Sequence, residues 1–215
     1  MEVAEPRLSP IGQARVAEGL TAAWMLVELV VAVWAGIAAG SVALVAFGVD
    51  SGIELLTALV LLRQLMLHTA RSTEEEVDVR ERQASRFVGW ALYALIGYIV
   101  LSSAVSIVVG SRPESSTFGI LLAMVAVVLM PMLWRWRLAL ANRLGSPALR
   151  ADAACSLVCA YMSATLLVGL LLNGLFGWWW ADSLAALGMI WWIRGEAAEA
   201  LEAARSGKHC EECGH

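Results

Sequence analysis

The chain has 215 residues, of which 60% are hydrophobic and 16% charged, with a mean hydropathy of +0.71. A soluble domain carries about 45–50% apolar and about 25% charged residues, which excludes an ordinary soluble protein. A net charge of −4 without a basic patch among aromatics sets aside nucleic acid as a partner, and four cysteines in a long apolar chain do not make a secreted disulfide scaffold.

Residues 1–18 lack a basic region followed by a short apolar stretch and a cleavage site, so they read as a cytosolic N-terminal segment and not as a signal peptide. Six apolar runs follow, roughly 19–39, 41–65, 86–109, 117–138, 149–174 and 178–195. Each approaches the roughly 20 residues needed to cross a bilayer. The expected fold is all-α, a polytopic membrane protein with six transmembrane helices in one domain over 19–195. The first two runs are separated by AGS and the last two by NGLFGWW, so both connections are tight. The longest polar stretch, HTARSTEEEVDVRERQASR at 68–86, reads as a solvated charged loop that also draws cations to its side of the membrane.

Orientation follows from Lys and Arg, which favour the cytosolic side. All of them except Arg112 lie before the first run, around the 68–86 loop, around the connection of the fourth and fifth runs, or after the sixth. Both termini are therefore expected in the cytosol. GWWW at 177–180 suits the outer interface, and Trp134, Trp136, Trp191 and Trp192 suit the inner one.

An ionisable side chain at mid-membrane costs about 2.5–3.5 kcal/mol on insertion scales and marks function by default. In the second run Asp50 lies about 14 Å deep and Glu54 about 20 Å, counting about 1.5 Å per residue from the outer end. In the fifth run, entered from the inner side, LRADAACSLVCAYMSATLLVG places Cys155 about 12 Å deep and Cys159 about 18 Å. Glu28 of the first run is also near the middle. Each pair is spaced by four residues, so its two side chains leave one face of a helix. Two such helices face to face offer two carboxylates and two thiolates, a set suited to tetrahedral Zn²⁺. The sulfurs favour soft metals, keep Cd²⁺, Hg²⁺ and Cu⁺ in play, and disfavour Mg²⁺ and Ca²⁺. The plain alternative for the thiols is that buried cysteine is a small hydrophobe. Asp152 is either a charge at a helix N-terminus or a group at the cytosolic entrance. Asp182 opens the sixth run, where its expected role is also N-terminal. Glu28 is a ligand, a proton carrier or a partner for a neighbouring polar group.

Six spans, cytosolic termini and these residues resemble the cation diffusion facilitators, or cation efflux family. The resemblance rests on GSVALVAFGVDSGIELLTAL (40–59), ADAACSLVCAYMSATLL (151–167) and WWADSLAALGMIWW (179–192). Members carry a four-spaced ligand pair in the second span and another in the fifth, the latter preceded by an aspartate three residues earlier. The resemblance maps these onto Asp50 and Glu54, onto Cys155 and Cys159, and onto Asp152. The fifth-span pair is usually His and Asp, so two cysteines here leave the metal open. Most members continue into a cytosolic metal-binding domain, whereas only residues 196–215 follow here, as in shorter members. The resemblance implies a homodimer that exchanges a divalent metal for protons, with metal leaving the cytosol, in a bacterial inner membrane.

The last segment, 196–215, reads as a cytosolic helix ended by Gly207 and followed by HCEECGH. His209, Cys210, Cys213 and His215 have the spacing of a soft-metal site or of a reactive tail with incidental affinity. The function expected is proton-coupled efflux of Zn²⁺ or Cd²⁺, with no permanent cofactor and no enzymatic step. A membrane metal sensor or accessory subunit is the alternative. A thiol oxidoreductase is a weaker one, because residues four apart on a helix are near the upper Cα limit for a disulfide.

Overall fold

A computed structural model describes residues 10–67, 74–114, 116–145 and 147–206, with side chains at the ends of these segments outside the description. The described residues form six helices: α1 (Pro10–Ala39), α2 (Val42–Leu67), α3 (Glu74–Val109), α4 (Thr117–Leu144), α5 (Pro147–Phe176) and α6 (Trp180–Ser206). No strand occurs among the described residues. Among the described residues, five stretches can cross a membrane by length and composition: Gly12–Ala39, Val42–Val60, Ser85–Val109, Thr117–Leu144 and Ala153–Phe176. The protein is thus a multi-pass membrane protein. α6 falls outside that set because Asp182, Arg194 and Glu196 interrupt its apolar positions.

Two boundaries move. α1 begins at Pro10, ahead of the first apolar run, and Glu18 at the end of the expected N-terminal segment is fully buried. The polar stretch 68–86 is not all loop, since α3 begins at Glu74. Glu76 and Arg80, and Asp78 and Arg82, stand four residues apart, a spacing that favours helix in an otherwise polar segment.

The helices pack in close pairs, α1 with α2, α3 with α6, and α4 with α5, and α1 also lies on α4. α2 is the central element. It touches α1, α3, α5 and α6, and 61% of its membrane window is buried, against 28% for α3. Without water to drive apolar surfaces together, membrane helices associate through close packing at small residues. Gly36 and Gly48 serve that purpose at the α1–α2 contact. A Cβ on Gly36 would lie 2.8 Å from the Val45 backbone nitrogen, and one on Gly48 would lie 2.9 Å from that of Val33. Gly40, at φ +66°, lets the chain reverse between the two helices.

Two buried polar joints tie the two ends of the bundle. Arg137 of α4, fully buried, donates from Nε to Glu18 Oε1 at 2.8 Å and from Nη2 to Oε2 at 2.9 Å. Its Nη1 donates to the hydroxyl of Ser156 on α5. An arginine that composition placed at the inner surface therefore lies inside, joining α1, α4 and α5. The second joint is at the other end. Asp182 of α6 accepts the Val42 N–H at 2.8 Å and the Ser41 hydroxyl, and so caps α2. Its N-terminal role is thus played on a neighbouring helix.

Candidate metal centre

The cap fixes how α2 and α6 align. Both helices start at the Asp182–Val42 contact and run in the same direction. Counting about 1.5 Å per residue from that contact, Glu54 lies about 18 Å along α2 and Glu196 about 21 Å along α6. The two reach the same level. Along α6 the buried face runs through Ala185, Met189 and Ile193, and Glu196 continues it one turn on. It is partly buried there, while Glu199, a turn later, is exposed.

Asp50, Glu54 and Glu196 each bring a carboxylate oxygen within 4.8 Å of the others. Asp50 is 0% and Glu54 5% exposed, and all four of their carboxylate oxygens are buried without a hydrogen-bond partner, as is Oε1 of Glu196. Like charges this close repel by about 3 kcal/mol per pair at an effective dielectric of about 20. Buried unpartnered oxygens add a desolvation penalty for each group. Such a cluster is relieved only by protons or by a cation between the carboxylates. Arg137 does not supply that charge, since its guanidinium is held by Glu18.

Glu28 of α1 is fully buried within electrostatic range of Asp50. Its Oε2 is 3.3 Å from the Ser51 hydroxyl, which also lies 3.0 Å from the Phe47 carbonyl, while Oε1 has no hydrogen-bond partner. Trp24 lies alongside it. Cys155 and Cys159 of α5 are in no disulfide, and the second is fully buried. Cys159 approaches the Glu54 carboxylate without hydrogen-bond geometry, and Cys155 lies within electrostatic range of Glu54, Glu196 and Arg137. The structure therefore brings Cys159 beside Glu54 and Cys155 into the same region, but the converging set consists of Asp50, Glu54 and Glu196. Asp152 is on α5 one turn before Cys155, with its side chain outside the described residues. His209, Cys210, Cys213 and His215 also lie outside them.

Sequence reasoning missed Glu196 because the apolar run stops at 195 and the glutamate falls among tail charges. The available signal was the seven-residue step from Met189, which keeps Glu196 on the buried stripe.

Helices of membrane length enclosing carboxylates with free lone pairs define a multi-pass membrane protein with an interior suited to cations. The chain matches the cation efflux transmembrane domain over residues 20–202 and belongs to the cation efflux family. Among curated proteins it is similar to magnetosome protein MamB of Magnetospirillum gryphiswaldense, with 29% identity over 159 residues, covering 72% of this chain and 52% of the relative. MamB of Magnetospira sp. is 27% identical over 157 residues, covering 72% and 53%. MamB of Paramagnetospirillum magneticum is 28% identical over 159 residues, again covering 72% and 53%. The chain spans about half the length of these relatives.

Proposed function

We propose that the protein is a divalent metal cation transporter that moves Zn²⁺ or Cd²⁺ out of the cytosol in exchange for protons. The observation that carries this reading is the pair Asp50 and Glu54, buried in the central helix of a cation efflux chain with every carboxylate oxygen unpartnered. In this reading the cation sits against that pair, and Cys155 and Cys159 supply sulfur from α5. Ligands must be deprotonated to bind, so loading the site releases protons, and protonation from the opposite side expels the metal. The distribution of Lys and Arg supports six spans with both termini in the cytosol of a bacterial inner membrane. The chain works as a homodimer, has no permanent cofactor and is not an enzyme.

The test is metal uptake into proteoliposomes under a pH gradient, with Zn²⁺, Cd²⁺, Co²⁺, Mn²⁺ and Fe²⁺ compared. Flux of Zn²⁺ or Cd²⁺ that disappears in Asp50→Ala and in Cys155→Ala is the expected result. Flux that survives Cys155→Ala demotes the thiols to packing. No flux of any metal replaces transport with a sensor or accessory role.

A further inference from the structure

We infer that Glu196 of α6 is a third metal ligand, which with Asp50 and Glu54 forms an all-oxygen site for a harder divalent cation such as Mn²⁺. This rests on the reading that the α2 carboxylates hold metal, and it changes both where the site is and what it takes.

Three observations converge on it. The oxygens of the three residues lie within 4.8 Å of one another. Two oxygens on opposite sides of an ion with bonds of about 2.1 Å are about 4.2 Å apart, so the set closes on a metal with small side-chain movements. The second observation is independent of clustering. Asp50 and Glu54 are at least nine-tenths buried, each offers one oxygen to the cluster, and none of their four oxygens has a hydrogen-bond partner. A buried carboxylate ordinarily finds a donor, so unpartnered oxygens on two neighbouring buried acids suit a proton or a cation held between them. Third, α6 is held in register by the Asp182 cap on α2, so the level of Glu196 against Glu54 is set by a contact at the far end of both helices.

The donor type then selects the ion. Carboxylates suit Mn²⁺, whereas thiolates favour softer metals. Two overlapping sets thus share Asp50 and Glu54. One is completed by oxygen from Glu196, the other by sulfur from Cys155 and Cys159. Exposure falls from Glu199 through Glu196 to Glu54 and Asp50, so a cation arriving along α6 meets the oxygen set first.

The test uses the purified full-length chain in lipid nanodiscs. Mn²⁺ binding is read from loss of the free-ion electron paramagnetic resonance signal, and Cd²⁺ binding from its sulfur-to-metal absorption band. Glu196→Gln is expected to weaken Mn²⁺ by about tenfold or more, at least the loss that follows removal of an outer-shell partner, and to leave Cd²⁺ within about threefold. The double variant Cys155→Ser/Cys159→Ser is expected to do the reverse. If Glu196→Gln fails to fold, Glu196→Asp replaces it, and a shortened carboxylate must still lower Mn²⁺ affinity selectively. Wild-type protein that does not bind Mn²⁺, or a Glu196 variant that binds it like wild type while Asp50→Asn does not, overturns the inference alone. Asp50→Asn that binds both metals like wild type overturns the transport site on which it rests.

Discussion

Asp182 caps a helix to which it does not belong: its carboxylate takes the Val42 N–H at 2.8 Å and so holds the start of α2 against the start of α6. Ser41 completes the cap, its hydroxyl lying on Asp182 and also 3.1 Å from the Leu44 nitrogen. The aligned ends set the relative height of everything further along both helices. Asp182→Ala should therefore lower the thermal midpoint in detergent by the equivalent of about 1–2 kcal/mol, the usual loss for a removed cap. It should also weaken metal binding at residues that it never touches. Asp182→Asn, which keeps an acceptor oxygen, should recover most of both. Unchanged metal affinity in Asp182→Ala would remove the cap from any part in positioning the acids.

The Arg137–Glu18 pair invites a double-mutant cycle. Removing one partner leaves an uncompensated buried charge, at about 3–5 kcal/mol. Arg137→Met and Glu18→Gln should each cut the yield of folded protein sharply. The double substitution should be better tolerated than Arg137→Met alone, since no bare charge remains. Additive losses would show that the two side chains do not depend on each other.

Close packing of α1 on α2 predicts a contrast between two glycines. Gly48→Val drives a side chain toward the Val33 backbone, which cannot yield, and overpacking of this kind costs about 1–3 kcal/mol or more. A Cβ on Gly97 of α3 would meet nothing within 4 Å, and the residue is exposed on its helix, so Gly97→Val should be neutral. Thermal unfolding of the two variants side by side reads the difference.

Metal affinity should rise with pH. Protons compete for the carboxylate oxygens of Asp50 and Glu54 and for the thiols, so lowering pH weakens binding and loading the site acidifies the medium. Cd²⁺ titrations across neutral pH, with a dye reporting proton release in weak buffer, measure both. An affinity that does not change with pH would sink proton exchange as the driving reaction.

The parts legible in the sequence are those with a strong local period. Long apolar runs announce the helices, and the four-residue step from Asp50 to Glu54 announces a shared face that the structure buries. The misses arise where charge and burial part company. Glu18, Arg137 and Glu196 look like surface residues at the ends of apolar runs, because hydropathy scores each residue by its own chemistry. Glu18 and Arg137 are buried because they bind each other across 119 positions, and no local pattern carries that pairing. Glu196 is drawn in by the stripe of Ala185, Met189 and Ile193, which is visible in the sequence but reaches its next position just past the end of the apolar run. Asp182 reads as a first-turn acid of its own helix; a carboxylate there serves any nearby N-terminus, and the one it meets is set by packing.

The Glu18–Arg137 joint also bears on how the protein is made. Synthesis delivers α1 first, carrying an acid whose guanidinium partner does not yet exist. That acid waits through α2 and α3 until α4 brings Arg137, and only then do the two charges vanish into the interior together. A chain interrupted before α4 is marked by a lone buried-position carboxylate on its first helix, so the closing of this one pair distinguishes a bundle that has been completed from one that has merely been started.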